Sequence, residues 1–480
     1  MKKQSFILTL AAVSMGLAAT VVTSCKKDFH GGANEALPTS ATIQIPASHT
    51  LSGVLGTGGH NVKDSIRLNG GEWTLSGLVY VDSLDVLIID PGTRIEGAVG
   101  DTIIGGVRGG GLVITHTAKI LAQGTAASPI IFTSARWDST GASRPKSGDW
   151  SGLAILGDAP TNNNGATVEG IVGAPPANVT YGGTNPTDNS GILTYVRIDY
   201  AGYAAVADQE LNGLTLAGVG SGTLIDYVEI FKANDDAVEF FGGTVNVSHI
   251  IAVDPLDDLF DTDNGYTGTI RFALGLEDTT RADKSWSNGF ESDNNATGTT
   301  ATPITHPKYR NVTIIGLPRA ALAATTSGAP SGTGRYGRLA HLRRNAEFDI
   351  DSSIFLGFSY GLSLDSALGS TNSKYFAGTS VIKNTFVHAY ISPYVTESAN
   401  TFNTAGGAAN FQAFATTAAL GNKAYFNATN ANAALQLVSP FSRSATGNFI
   451  ITSTLSPAYK FGAFPSNTNW VPSGTWARYQ

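Results

Sequence analysis

Polar and apolar residues alternate along this chain in short stretches that are separated by glycine, asparagine and aspartate. Leu75, Val79 and Val81 fall on one face of such a stretch, and residues 224–230 show the same alternation. A period of two is typical of β-strands, whereas long amphipathic helices are scarce before residue 400. The pattern therefore predicts a chain that is built mainly from short strands.

The short strands recur at a spacing of 22 to 25 residues. Residues 87–95 superimpose on residues 112–120 at a displacement of 25, and Val238 superimposes on Phe260 at a displacement of 22. Repeats of this length are typical of stacked coils, because one coil cannot bury its own inner face. We therefore predict an all-β fold, a right-handed parallel β-helix (β-solenoid) over residues 51–400.

The repeat is interrupted twice and is lost near the end of the chain. Residues 134–149 and 158–189 are rich in glycine, proline and polar residues, and they are predicted to be long loops on one edge of the β-helix. Residues 401–480 are predicted to be a C-terminal capping region, with a short helix within 405–419. Aromatic residues near the terminus are expected to cover an exposed coil end.

The N-terminal segment has the features of a lipoprotein signal peptide. Lys2 and Lys3 precede an apolar run that ends at Val22, and Cys25, the sole cysteine of the sequence, follows small residues. A transmembrane anchor is the alternative, but the run is short for spanning a bilayer. We predict a signal peptide over residues 1–25, lipidation of Cys25, membrane attachment through that lipid, and a flexible tether over 26–50.

Composition narrows the functional classes. The 480 residues include 56 glycines, 14% are charged, and the net charge is −7. This is neither a disordered composition nor the basic profile of a nucleic-acid-binding protein, so no nucleic-acid partner is expected. No nucleotide-binding fingerprint, zinc-ligand cluster or Ser/His/Asp set is evident in the sequence.

Five strings of residues carry a resemblance to a known family of Bacteroidetes surface lipoproteins. They are GDWSGLAILG (148–157), TYVRIDYAG (194–202), NGLTLAGVGSG (212–222), FFGGTVN (240–246) and NVTIIG (311–316). Members of that family are predicted to be right-handed parallel β-helices with no established activity, and some bear the label "multidrug transporter". The resemblance implies an outer-membrane, lipid-anchored protein that faces the cell exterior.

Acidic residues are concentrated between positions 226 and 293. This stretch contains 15 acidic and four basic residues, and the pairs Asp235-Asp236 and Asp257-Asp258 stand 22 residues apart. In strand alternation Val238, Phe240, Phe260 and Phe290 point inward, which turns Glu239, Asp261 and Glu291 outward, on successive coils.

Two explanations of this acidic ladder are open. Water and salt can screen it, while Asp236 and Asp258 cap turns with their side-chain oxygens. Alternatively the acids bind calcium, a hard cation that takes several oxygen ligands, and residues 261–265 (DTDNG) resemble half of a calcium loop. The candidate metal ligands are Glu239, Asp257, Asp258, Asp261, Asp263 and Glu291.

The leading functional hypothesis is a non-catalytic β-helical protein that binds a glycan, a partner protein or a cation. The candidate ligand-binding residues are aromatics in loop-like stretches, which are expected to be exposed: Trp137, Tyr181, Tyr203 and Trp286. The alternative is a calcium-dependent polysaccharide lyase or a polygalacturonase-like glycoside hydrolase. The lyase would need a base, for which Arg343-Arg344 and the stretch 306–310 are candidates.

Overall fold

The computed structural model describes residues 43–44, 48–56, 63–100, 109–171, 175–206, 209–324, 334–403, 406–471 and 476–479. The predicted signal peptide, Cys25 and most of the predicted tether lie outside these ranges. Within them, no helix is both long enough and apolar enough to cross a lipid bilayer.

The described chain is a parallel β-helix in which three sheets run along the long axis. Sheet 1 stacks β1 (Ile43–Gln44), β3 (Ser65–Leu68), β5 (Val86–Ile89), β8 (Lys119–Gln123), the first halves of β11 (Gly191–Asp199), β15 (Leu224–Phe231), β17 (Asn246–Val253), β19 (Thr269–Leu276) and β21 (Lys308–Ile315), and then β23 (Asp349–Asp351) and β25 (Val381–Lys383).

Sheet 2 stacks the first halves of β2 (Thr50–Leu55) and β4 (Glu72–Val81), β6 (Arg94–Gly97), β9 (Ile130–Ser134), the second halves of β11, β15, β17, β19 and β21, the first halves of β24 (Ile354–Asp365) and β26 (Phe386–Ser398), and β28 (Lys423–Tyr425). Sheet 3 stacks the second halves of β2 and β4, then β7 (Gly111–Ile114), β10 (Gly152–Leu156), β14 (Leu214–Ala217), β16 (Val238–Phe241), β18 (Phe260–Asp263), β20 (Phe290–Ser292), β22 (Arg338–Leu342) and the second halves of β24 and β26.

The remaining elements lie outside the three sheets or at their ends. Strands β12 (Ala204–Val206) and β13 (Gln209–Glu210) form an antiparallel hairpin, and β27 (Thr401–Asn403) pairs antiparallel with β26. The helices are α1 (Ala320–Ala323), α2 (Thr371–Phe376), α3 (Gly406–Ala415) and α4 (Ala428–Leu435). Short 3-10 helices span Gly141–Ser143, Ala418–Leu420, Thr446–Phe449 and Pro465–Asn467.

The structure confirms the predicted parallel β-helix and corrects two details of the repeat. Val238 pairs with Phe260, as the 22-residue displacement predicts. The 25-residue superposition is wrong, because Leu87 pairs with Ile120 in sheet 1 whereas Leu112 belongs to sheet 3. Alternation marks a strand but does not say which sheet the strand joins. Parallel pairing also runs from β1 to β28, beyond the predicted range of 51–400 on both sides.

A column of aromatic residues forms the corner between sheets 1 and 2. Tyr195, Tyr227, His249 and Phe272 occupy equivalent positions in four successive coils, all with positive φ between 48° and 57°. Their rings stack face to face, with centroids 4.5, 4.4 and 5.1 Å apart. A left-handed backbone is costly for bulky residues, and the stacking of the rings offsets part of that cost.

The C-terminal region covers this corner as well as the coil end. Helix α3 closes the last coil, where Phe411 packs edge-on against Tyr394 at 5.1 Å, as a cap should. The prediction that the terminal aromatics cover the coil end is wrong for Trp470 and Trp476. Trp476 instead packs edge-on against Tyr195 and Tyr227 on the flank of the β-helix, where the contact buries apolar ring surface.

Candidate functional site

Strand pairing in sheet 3 places acidic side chains above one another on its outer face. Glu239 pairs with Asp261, Asp261 with Glu291, and Glu291 with His341. The intervening positions point into the core and are fully buried, namely Val238, Phe240, Phe260 and Phe290. The predicted ladder on successive coils is therefore present, and the next coil ends it with a histidine.

The second aspartate of each repeated pair caps the coil that follows it. One oxygen of Asp236 accepts a hydrogen bond from the backbone N–H of Asp258 at 2.8 Å, and Asp258 in turn accepts one from the N–H of Asn288 at 2.6 Å. Asn288 repeats the contact with the N–H of Arg338 at 2.9 Å. The capping explanation of the 22-residue repeat is thus correct for these two aspartates, although it leaves the first aspartate of each pair unexplained.

A cavity of about 180 Å³ opens in front of the ladder. Eight carboxyl groups and a single guanidinium line it, together with three neutral side chains: Glu169, Asp235, Asp236, Glu239, Asp257, Asp258, Asp261, Glu291, Arg343, Ser285, Trp286 and Asn288. A larger cavity of about 570 Å³ adjoins it and shares four of these residues. We call the smaller cavity the acidic cavity.

Three overlapping groups of carboxylates converge in the acidic cavity. Within each group the oxygens lie within 4.8 Å of one another, and the groups are Asp235/Asp236/Asp257, Asp236/Glu239/Asp261 and Asp258/Asp261/Glu291. Adjacent groups share a residue, first Asp236 and then Asp261. All of these donors are oxygen atoms, the ligand type that hard cations such as Ca²⁺ prefer.

The carboxyl groups of the ladder are held in an environment that disfavours their charge. Burial, followed by the neighbouring charge of Asp261, raises the pKa of Glu239 well above its usual value. Burial and the charge of Glu291 do the same to the pKa of Asp261. Burial and Asp283 raise the pKa of Asp257 to about 7. Without a cation, these groups are ionised at a considerable free-energy cost.

Glu291 is the exception, because two cationic side chains face it. Burial would raise its pKa, but Arg343 and His341 outweigh that effect and lower the pKa to about 2. Burial likewise opposes the charge on His341, yet its hydrogen bonds with Asp365, Glu291 and Glu397 raise its pKa to about 9. The Nδ1 atom of His341 lies 3.1 Å from Glu291, so the upper end of the ladder carries its own counter-charge.

One carboxylate oxygen of the ladder has no hydrogen-bond partner within the described structure. Among the described residues, no donor reaches Asp261 Oδ1, which is shielded from solvent. Asp236, Glu239 and Asp258 are more than nine-tenths buried, and each accepts a hydrogen bond at one oxygen, with Asn212 the donor to Glu239 at 2.6 Å. Buried polar atoms are normally paired, so the Oδ1 atom of Asp261 departs from that rule.

The candidate aromatics have different surroundings from one another. The prediction that Tyr181 is exposed is wrong, because the insertion that carries it folds back and packs the ring against Phe241 at 6.1 Å. Trp137 and Tyr203 are partly buried and do not line the acidic cavity. Trp286 lines both the acidic cavity and an aromatic cavity of about 340 Å³ on its other side.

The segment 261–265 is not a calcium loop. Asp261 and Asp263 lie in strand β18, and they point outward in two neighbouring columns of sheet 3. Asp263 belongs to the column of Phe241 and lies outside the three carboxylate groups, with one oxygen bonded to the N–H of Asn264. The proposed ligands Glu239, Asp257, Asp258, Asp261 and Glu291 are brought together, whereas Asp263 lies to the side.

Four charged residues that line the acidic cavity are absent from the candidate ligands that the sequence suggests. Asp235 and Asp236 carry a signal, the 22-residue spacing from the next aspartate pair. Glu169 arrives from the insertion between β10 and β11, and Arg343 follows β22. Neither has a local pattern that would assign it to the cavity, because the contacts are set by how the loops fold over sheet 3.

The comparison with protein-family models finds one match that covers most of the chain. Residues 60–433 match the model described as a pectate-lyase like beta helix domain. No curated protein and no solved structure matches the chain. The match agrees with the parallel coils seen in the structure.

Proposed function

Because the chain belongs to the family of pectate-lyase-like β-helix domains, with an acidic cavity on one sheet, we propose that it is a β-helical protein that binds a divalent cation, with calcium as the expected ion. The observation that carries the proposal is the set of three overlapping carboxylate groups, in which Asp261 Oδ1 is buried and unpaired within the described structure. A hard cation would supply both the missing partner and the missing positive charge.

Thermal unfolding with calcium and with chelator tests this proposal. A bound ion raises the melting temperature by mass action, and the rise should be smaller in the variant Asp258→Asn/Asp261→Asn, which removes two of the carboxylates of the acidic cavity. Asp138→Asn is the matched control, because Asp138 is exposed and lies outside the acidic cavity. An equal rise in the double variant, or no rise in the wild type at millimolar calcium, would exclude the site.

We also propose the setting in which this site works. The predicted lipid on Cys25 would attach the chain to the outer membrane and present the β-helix at the cell surface. A glycan or a partner protein is the expected ligand of the surface around Trp286, which joins the acidic cavity to a cavity lined by Tyr360 and Phe402. A glycan array with wild type and Trp286→Ala, in calcium and in chelator, tests that part.

A second candidate function is glycoside hydrolysis, and one observation favours it. The oxygens of Asp261 and Glu291 lie within 4.8 Å of each other, while the pKa of Asp261 is raised and that of Glu291 is lowered to about 2. Neighbouring carboxyls with divergent pKa values can serve as general acid and as base or nucleophile. Release of reducing ends from acidic or neutral glycans, lost in Asp261→Asn and in Glu291→Gln, would support hydrolysis.

The lyase alternative has weaker support. Arg343 is the guanidinium that lines the acidic cavity, but its Nε lies 2.8 Å from Asp293 and its Nη2 contacts Glu291. These charges outweigh the effect of burial and raise its pKa further, which makes loss of a proton to serve as a base harder. His306 instead pairs with Asp349, on the side of sheet 1. Appearance of unsaturated products would nevertheless identify a lyase.

A further inference from the structure

The three carboxylate groups of the acidic cavity are not equivalent in charge. The upper group, Asp258/Asp261/Glu291, is partly neutralised, because Glu291 contacts both Arg343 and His341. The other two groups, Asp235/Asp236/Asp257 and Asp236/Glu239/Asp261, consist of carboxylates alone, and we call them the lower groups. Positive charge from a bound cation is therefore most needed in the lower groups.

The two lower groups share Asp236. Asp235, Asp236 and Asp257 form one group, and Asp236 joins Glu239 and Asp261 in the other. A carboxylate has two oxygens and about four lone-pair positions, so Asp236 can still bind ions on both sides while it caps the N–H of Asp258. Carboxylates that bridge two metal ions typically hold them about 3.5–4 Å apart.

The surroundings of each lower group fit a separate ion. Asn212 donates to Glu239 at 2.6 Å and orients it from one side, and Ser285 donates to Asp257 at 2.6 Å on the other. Eight carboxyl groups and one guanidinium line the described part of the cavity. A single divalent ion would therefore leave most of the negative charge without a counter-charge. A second ion removes more of that excess.

We propose that the acidic cavity binds two adjacent divalent cations that are bridged by Asp236, one at Asp235/Asp257 and one at Glu239/Asp261. This inference rests on the proposed cation-binding function and specifies its stoichiometry and bridging ligand. Arg343 and His341 take the place of a third ion at Glu291.

Calcium stoichiometry of the full chain, measured by native mass spectrometry and by titration calorimetry, tests the proposal. The wild type should bind two ions. Asp257→Asn and Glu239→Gln should each bind one, and Asp236→Asn should bind both ions at least tenfold more weakly. Asp138→Asn should bind two, as the wild type does. Asn keeps the oxygen that caps the next coil, and circular dichroism in chelator checks that each variant folds. Asp235→Asn replaces Asp257→Asn if the latter is unfolded.

Proximity of the two ions gives a second measurement. With a mixture of Tb³⁺ and Eu³⁺ as probes, energy transfer should shorten the terbium lifetime in the wild type and not in Glu239→Gln. A wild type that binds one ion, or two variants that lose the same ion, would overturn the two-ion inference while leaving cation binding intact. A wild type that binds none would overturn both.

Discussion

Two columns run along the β-helix, one of aromatic rings and one of carboxylates, and they have opposite effects on its stability. At the corner between sheets 1 and 2, Tyr195, Tyr227 and His249 stack ring on ring and are covered by Trp470 and Trp476. On sheet 3, carboxylates stack at the same coil spacing and face a polar cavity.

The difference lies in what like neighbours do to each other at a spacing of about 4.8 Å. Aromatic rings attract and bury apolar area, so repetition stabilises the corner. Unit charges at this distance repel by about 1 kcal/mol even in water, and more where water is excluded. A repeated coil therefore amplifies either effect: stacking stabilises the aromatic column, whereas repulsion destabilises the acidic one.

The largest expected effect concerns the aromatic column and the tryptophan that covers it. Trp476→Ala removes a fully buried ring that packs on Tyr195 and Tyr227, and it should lower the free energy of unfolding by about 3–5 kcal/mol. Denaturant unfolding measures the change. Trp137→Ala is the control, because this partly exposed ring contacts Arg94 and should cost much less. Equal losses would show that the terminal tryptophan does not stabilise the corner.

The next effect concerns the acidic column, whose contribution to stability should depend on pH. In the presence of chelator, the carboxyls whose pKa is raised in the folded state contribute stability that is fully present below pH 4. This stability is lost as the pH rises through about 7, which is the pKa of Asp257 and of Asp263 in the folded protein. At pH 8, calcium at a hundred times its Kd should restore about 2.7 kcal/mol for each bound ion, and the same calcium concentration should restore less at pH 5, where protons compete for the carboxylates. A calcium effect that is independent of pH would contradict this.

A smaller effect should appear when the repulsion itself is removed. In chelator at pH 8, Asp258→Asn/Asp261→Asn should raise the free energy of unfolding by about 1 kcal/mol, because a like-charged contact is lost while the cap on Asn288 is kept. Denaturant unfolding of this variant beside Asp138→Asn measures the gain. Destabilisation in chelator would show that the ladder is not under electrostatic strain.

The smallest effect on stability is expected at the N-terminus. Cys25→Ala should leave the unfolding of the β-helix unchanged, because the predicted lipid site precedes the coils in the sequence. The variant should lose incorporation of labelled palmitate and should leave the membrane fraction. Unchanged labelling would exclude lipidation at Cys25.

Much of the fold and part of the site could be read from local sequence. Alternation identified the strands, and the 22-residue displacement of Val238 onto Phe260 correctly placed Glu239, Asp261 and Glu291 on one outer face. This works because the strand period is fixed by backbone geometry, so an inward residue determines the direction of its neighbours.

The surroundings of that face depend on how distant segments pack together. Arg343, which neutralises Glu291, lies 52 positions further along the chain, and Glu169 reaches the acidic cavity from an insertion. The same packing buries Tyr181 and brings Trp476 to the flank. The parallel coils and the acidic ladder are predictable from the sequence, because both follow from local periodicity. The charge balance, the cavity and the covered corner depend on contacts between distant segments, which no local pattern specifies.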